Sequence, residues 1–285
     1  MNIGKLVQER RKELQMTQNE LAEGICTQAM VSKIEKGIIN PSSSLLKAIS
    51  DRLEIPISYF YEVDDEEKKI KKVEEEVRAC INKSEHLKAL EKLTENKEIF
   101  LNAEKDYYKQ FYEMVYHSNH YYVDKDVSAA ISGLNNLLDE VSLSSLLYLE
   151  ILASLGVVYY LDEQHTKADE TYQKVIEKLN RHTDYQFRIR FLYNYALNLG
   201  FIGKDEEALE IIVQATDELI KKQSLYNLGN LFYLKGFLLR KKELYKEAME
   251  EFENAMFIFN ITNFQKMFDQ THDKIDEVKT ILEEN

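Results

Sequence analysis

Residues 155–175 read LGVVYYLDEQHTKADETYQKV, and the placement of Gly156, Ala168, Tyr172 and Val175 within them decides the fold. The same spacing returns 40 residues later at Ala196, Ala208, Ile212 and Ala215, and again at Gly236, Ala248, Phe252 and Ala255. Two small residues twelve positions apart let the backbones of two helices approach, and the large residue four positions further on fills the groove between them. A single helical hairpin of this kind cannot bury its apolar face alone. Stacking on its neighbours does, so the period predicts an array of helix pairs.

This grammar resembles the tetratricopeptide (TPR) repeat, including Leu155-Gly156-x-x-Tyr159 followed by Ala168. The period of 40 exceeds the roughly 34 of the standard unit, and the closing proline is missing from every copy. Working outward, two degenerate pairs are expected upstream. One spans residues 66–96 with Cys80, Leu87, Leu90 and Leu93 inward, the other residues 100–140 with Tyr112, Ala129 and Leu137 inward. Residues 264–283, with Phe264, Phe268, Ile275, Val278 and Ile281 apolar, read as a closing helix. Such a stack is a right-handed superhelix of about five helix pairs plus a capping helix, its concave side lined by the first helix of each pair. Those helices carry Tyr107, Tyr108, Phe111, Tyr112, Tyr159 and Tyr193, and also Asn194, Asn198, Asn227, Asn230 and Lys235. An asparagine amide can pair both the N–H and the C=O of an extended peptide, whereas a tyrosine in such a helix either contacts a ligand or fills a seam.

Composition agrees with an all-α chain. Among 285 residues there are 9 glycines and 2 prolines, too few to punctuate a β-sandwich. The longest nearly unbroken apolar stretch, Ile151 to Leu161, falls short of the roughly 20 residues needed to cross a bilayer, so no membrane partner is expected. Two cysteines, Cys26 and Cys80, encode no disulfide framework, and the first residues show no signal core. A cytoplasmic location is the expectation.

Charge divides the chain. The net charge is −13, yet residues 1–60 hold 8 Lys/Arg against 7 Asp/Glu while residues 61–285 hold 29 against 43. Both prolines lie in the first segment and 17 of the 18 tyrosines in the second. The acidic part repels phosphates, so any DNA contact belongs to the first 60 residues.

Those residues spell five helices. Ile3, Leu6, Val7 and Leu14 give the first. Thr17-Gln18-Asn19-Glu20 is a capping box opening a second, residues 18–24, that buries Leu21, Ala22 and Ile25. Thr27 caps a third, Gln28 to Lys36, which buries Val31 and Ile34 and ends at Gly37. A fourth follows Pro41-Ser42, and Ile55-Pro56 starts a short fifth through Phe60. Cys26, in the turn, is read as a small buried hydrophobe. With Val31 and Ile34 inward, the third helix turns Gln28, Ala29, Ser32, Lys33 and Lys36 outward, beside the capping Thr27. Two short helices joined by a tight turn, the second with a polar outer face, form a helix-turn-helix. Glutamine matches the adenine edge, and lysine suits guanine or phosphate. Gln18 stands where a phosphate contact is expected.

The string Thr17-Gln18-x-x-Leu21-Ala22, Val31-Ser32-x-Ile34-Glu35-x-Gly37, Pro41-Ser42 resembles the Cro/CI type of DNA-binding domain. That resemblance implies phosphate or base contacts for Gln18, Gln28 and Ser32. A charge-rich helical linker over residues 63–82 follows a head of residues 1–62 and merges into a repeat domain of residues 66–285. The layout, together with Glu23 to Ser32 and Ile55 to Glu62, resembles the Rap/NprR/PlcR/PrgX group of peptide-pheromone-responsive transcriptional regulators. It implies a short signalling peptide in the concave groove, held by Asn194 in its Tyr193-Asn194-Tyr195-Ala196 context, with Lys88 contributing from the first pair. It further implies quorum sensing, with a homodimer on a near-palindromic double-stranded operator. A TPR interaction scaffold, or a phage-type repressor with no peptide ligand, would share the same letters.

No enzyme is expected. The chain has no phosphate loop, dinucleotide fingerprint or Gly-x-Ser-x-Gly elbow. His117 and His120, with Asp124 nearby, lack a third convincing ligand and a general base, so they read as surface residues and neither metal nor cofactor is expected.

Overall fold

Capping residues and apolar periodicity together produce sixteen α-helices among the described residues, which are 3–61, 65–180 and 183–284 of this computed structural model. The helices are α1 (Ile3–Glu13), α2 (Gln18–Ala22), α3 (Gln28–Glu35), α4 (Ser43–Arg52), α5 (Asp65–Asn82), α6 (His86–Glu95), α7 (Lys97–Leu101) and α8 (Asp106–Asp124). After them come α9 (Val127–Glu140), α10 (Leu146–Leu161), α11 (His165–Ile176), α12 (Tyr185–Phe201), α13 (Asp205–Lys221), α14 (Leu228–Lys241), α15 (Tyr245–Ile261) and α16 (Gln265–Glu284). No strand occurs among the described residues. The chain divides into two units between Lys72 and Val73, inside the continuous helix α5.

In the N-terminal unit, Leu6, Val7, Leu21, Ala22, Val31, Ile34, Leu46, Ile49, Leu53 and Phe60 share one core. The starts of α2, α3 and α4 are chemically marked. The Thr17 hydroxyl accepts from the Glu20 N–H at 3.2 Å while Glu20 accepts from the Thr17 N–H at 2.6 Å, completing the capping box. Thr27 and Ser42 cap α3 and α4 through their hydroxyls alone, accepting from the Met30 and Leu45 N–H groups. Gly24 and Gly37 take left-handed φ values of 68° and 69°. The first of them stops α2 at Ala22, short of the expected residue 24. The expected fifth helix is a 3-10 turn, Ile57–Tyr61. The Pro56 carbonyl accepts from the Tyr59 N–H at 2.9 Å, an i to i+3 bond that sets the tighter winding. Cys26 is half-buried rather than buried, and burial pushes its thiol up. Residues 62–64, which span the expected end of the head and start of the linker, lie outside the described residues.

The C-terminal unit stacks the hairpins α8/α9, α10/α11, α12/α13 and α14/α15, with α16 closing on α15 and α6 packed on α8. All twelve positions of the 40-residue pattern are buried. The small positions are small for a steric reason. A Cβ on Gly236 would lie 2.8 Å from the Phe252 ring, and one on Gly156 would overlap the ring of Tyr172. The turns share the period. Glu163, Gly203 and Glu243, again 40 apart, adopt φ of 59°, 81° and 62°. The next N–H in each case bonds back to Tyr159, Leu199 or Leu239 at 2.9, 2.9 and 3.0 Å, the Schellman closure. Gln223 and Asn263 end α13 and α15 in the same left-handed conformation, so these helices stop without a proline.

Two expected core positions are corrected. Leu87 is 63% exposed and Ala89 takes its place inside. In α9, Ala129 is exposed and Ala130 buried. Asp126 caps that helix by accepting from the Ala129 N–H at 2.9 Å, which fixes Ala129 in the first turn on the outer side. Tyr108, Phe111 and Tyr112 fill seams and line no groove. The side chains of His120 and Asp124 lie outside the described residues.

Candidate functional site

The outer face of α3 carries Gln28, Ala29 and Lys33, all exposed, with Ser32 half-buried, and is continued by the exposed Lys36 at its C-cap and the exposed Thr27 at its N-cap. Lys33 and Lys36 form no ion pair among the described residues. Behind this face runs a relay of hydrogen bonds. Arg11 donates to both oxygens of Glu35 at 2.6 and 3.1 Å and to the Met16 carbonyl at 2.5 Å. Gln18 donates Nε2 to Glu35 at 2.8 Å and accepts through Oε1 from Gln28 Nε2 at 2.7 Å. The direction is forced. An ionised carboxylate only accepts, so Gln18 must turn its NH2 to Glu35 and its carbonyl to Gln28. Gln28 must then answer with its own NH2, which leaves its carbonyl and one N–H outward. That acceptor–donor pair matches the N6 and N7 edge of adenine. Gln18, expected at a phosphate, is held inside the relay and keeps only one amide N–H outside it.

Burial alone would raise the Glu35 carboxyl, but hydrogen bonds from Arg11 and Gln18 and the Arg11 charge outweigh it and hold it below the usual range. The hydrogen bond to Glu35 raises Arg11 in turn. Arg52 clamps the end of α2 by donating to the Glu20 and Glu23 carbonyls, each at 2.8 Å.

The seven residues expected in the concave groove separate. Asn194 is half-buried on α12, and its amide makes no hydrogen bond among the described residues. Tyr159 is half-buried with the Lys167 ammonium 5.7 Å from its ring centroid. Asn198 is corrected. It is 0% exposed and bonded twice to His165, donating to its carbonyl at 3.1 Å and meeting its Nδ1 at 3.3 Å. Asn227 precedes α14 at φ 57° and accepts from Asn230 Nδ2 at 2.5 Å, so the two amides are engaged with each other. Lys235 is committed to Glu251 of α15 at 2.5 Å. Lys88 lies on α6, a second helix, exposed and paired with Glu85 at 3.0 Å.

The inner face is marked by residues that sequence reading passed over. Arg78 of α5 reaches Glu150 of α10 with bonds of 2.6 and 3.1 Å, and Glu74 at 2.9 Å, its guanidinium 4.7 Å from the Phe111 centroid. Burial lifts the neighbouring Tyr107 hydroxyl, which donates to Glu74, to about 12. Asn82, at the end of α5, donates to Gln186 at 3.1 Å and accepts from Arg190 of α12 and from the Tyr226 hydroxyl at 3.3 Å. These side chains join first helices of non-adjacent pairs, which only a face curved toward itself allows. One signal was available: Glu150 is the single charged residue between Leu146 and Leu161, and a charge in such a run needs a partner.

The description RNPP family C-terminal domain matches residues 74–274. The chain belongs to the RNPP family. A helix-turn-helix family description matches residues 7–60. Bacillus thuringiensis PlcR, solved in complex with the peptide PapR7 and DNA, is 24% identical with a TM-score of 0.69, over 97% of this chain and 98% of that one. ComR from S. thermophilus, solved with DNA and its signalling peptide ComS, is 17% identical with a TM-score of 0.64, over 97% and 99%. ComR from Streptococcus vestibularis, in complex with its signalling peptide XIP, is 15% identical with a TM-score of 0.63, over 97% and 98%. At these identities the likeness shows the RNPP fold, a helix-turn-helix unit followed by a helical superhelix. No curated protein sequence matches the chain. No helix among the described residues is long and apolar enough to cross a membrane.

Proposed function

We propose that this RNPP protein is a transcriptional regulator. It reads double-stranded DNA through the outer face of α3 and is controlled by a short signalling peptide in the concave face of its C-terminal unit. The observation that carries this reading is the outward acceptor–donor pair of Gln28, fixed by Gln18 and Glu35. Lys33 and Lys36 supply phosphate contacts and Ser32 an adaptable hydroxyl. On the concave face, Asn194 offers an unused amide to a peptide backbone. A peptide shifts the regulator only by its difference in affinity between two states. The element placed to report it is α5, anchored by Arg78 and Asn82 on that face and running without a break across the unit boundary.

The double change Gln28→Ala, Ser32→Ala tests the reading in a gel shift with genomic fragments. Loss of one bidentate base contact costs about 1–3 kcal/mol, so specific affinity should fall about tenfold or more. Non-specific affinity, carried by phosphates, should stay within about twofold. Undiminished specific binding would remove this face from the interface.

A further inference from the structure

The described arginines of the C-terminal unit are matched to acids with one exception. Arg78 pairs with Glu150, Arg188 with Glu218 and Arg240 with Glu277. Arg190 forms no ion pair among the described residues. Its guanidinium is half-buried on the inner side of α12, donates to the neutral Asn82 and stands over Phe187 at 5.9 Å from the ring centroid. Two further polar groups around Asn82 are neutral. Tyr226 is pushed up by burial and Gln186 is an amide. Burial pushes the His86 imidazole down, with the Arg190 charge contributing, which keeps it neutral. Two acids of the same unit have other partners: Glu150 takes Arg78 through both oxygens, and Asp184 caps α12 by accepting from the Phe187 N–H at 2.9 Å.

We propose that Arg190 is the receptor for a carboxylate of the bound peptide, either its C-terminus or an acidic side chain. This rests on the concave face being the peptide site. A half-buried guanidinium bonded only to neutral groups is incompletely compensated. A carboxylate can take two of its N–H groups side by side, with bonds roughly twice as strong as those to an amide oxygen. It therefore displaces Asn82. Arg190 and Asn194 are one helical turn apart on α12, about 6 Å along the axis, and an extended peptide covers that distance in about two residues. The carboxylate accordingly sits within about two residues of the peptide unit that Asn194 holds. Selection of an anion here is local, because the C-terminal part of the chain is itself strongly acidic.

The probes are three pools of random, otherwise neutral heptapeptides with acetylated N-termini: free C-terminal acids, C-terminal amides, and amides carrying one Glu. Each is passed over the immobilised full-length chain, and the retained peptides are measured by calorimetry. Retention from the first or third pool is expected, and which of the two says whether the terminus or a side chain supplies the carboxylate. Arg190→Gln should weaken these peptides about tenfold or more, with Arg190→Lys restoring part. Asn82→Ala, which strips away the internal competitor, should tighten them several-fold. Equal retention of neutral amides, with affinities unmoved by Arg190→Gln and Asn82→Ala, overturns the proposal and leaves the peptide reading standing. No retention from any pool overturns the peptide reading, and the proposal falls with it.

Discussion

Glu35 has three tasks in a head of some sixty residues: it neutralises Arg11, orients Gln18, and through Gln18 orients Gln28. Its partners lie 24 and 17 residues away in the chain, so the sequence shows the residue inside its motif without showing the relay. The head's acid sensitivity follows. Glu35 is held below its ordinary value of 4.5 in the folded head, so its contribution to stability is complete above that value. It is lost as pH falls through the lowered one. Glu35→Gln should flatten this acid limb in melting curves of the head, and at neutral pH it should cost about 3 kcal/mol, as expected when one partner of a buried ion pair is removed. A glutamine at 35 also no longer dictates which end of Gln18 faces Gln28, so base discrimination should relax before affinity is lost. An acid limb identical to that of the unmodified chain would show that Glu35 is not held as described.

At the scale of helices, the 40-residue period controls side chains and backbone together. Gly156 faces Tyr172 and Gly236 faces Phe252, while Glu163, Gly203 and Glu243 carry the left-handed turn at the same phase. Tyr172 is fully buried and in ring contact with Phe191 and Tyr195, so it cannot move aside. Gly156→Ala should therefore destabilise the C-terminal unit by about 1–3 kcal/mol, the usual range for overpacking, despite alanine's better helix propensity. Thermal unfolding of the variant measures it, and an unchanged or raised melting temperature would mean the hairpin has slack. The small and large positions were legible because packing repeats with the chain. Polar assignments were not, because an asparagine's role depends on what another helix brings to it. Asn194 and Asn198 are one turn apart, yet the first is open and the second is sealed against His165. The shift from Ala129 to Ala130 was equally hidden, since it depends on the cap at Asp126.

For the whole molecule, charge sets the limit on how DNA is held. The first sixty residues carry eight Lys/Arg against seven Asp/Glu, and the remaining 225 are strongly acidic. On the reading face, Lys33 and Lys36 are the cations outside any ion pair among the described residues. One head with two such lysines releases few counterions and buries only the area of a single small module, too little for tight binding at physiological salt. Two heads on inverted half-sites, one helical turn apart, double the contacts without new chemistry. We therefore expect binding as a homodimer, with occupancy rising as about the square of protein concentration below the dimer's dissociation constant. Affinity should fall with salt at a log–log slope of about −4, from four phosphate-contacting lysines. A duplex with one half-site intact should bind about a hundredfold more weakly or worse. Titrations of both duplexes at several salt concentrations decide it. Equal affinity for one and two half-sites, with a slope near −2, would mean that a single head suffices and that the acidic unit pairs no second copy onto DNA.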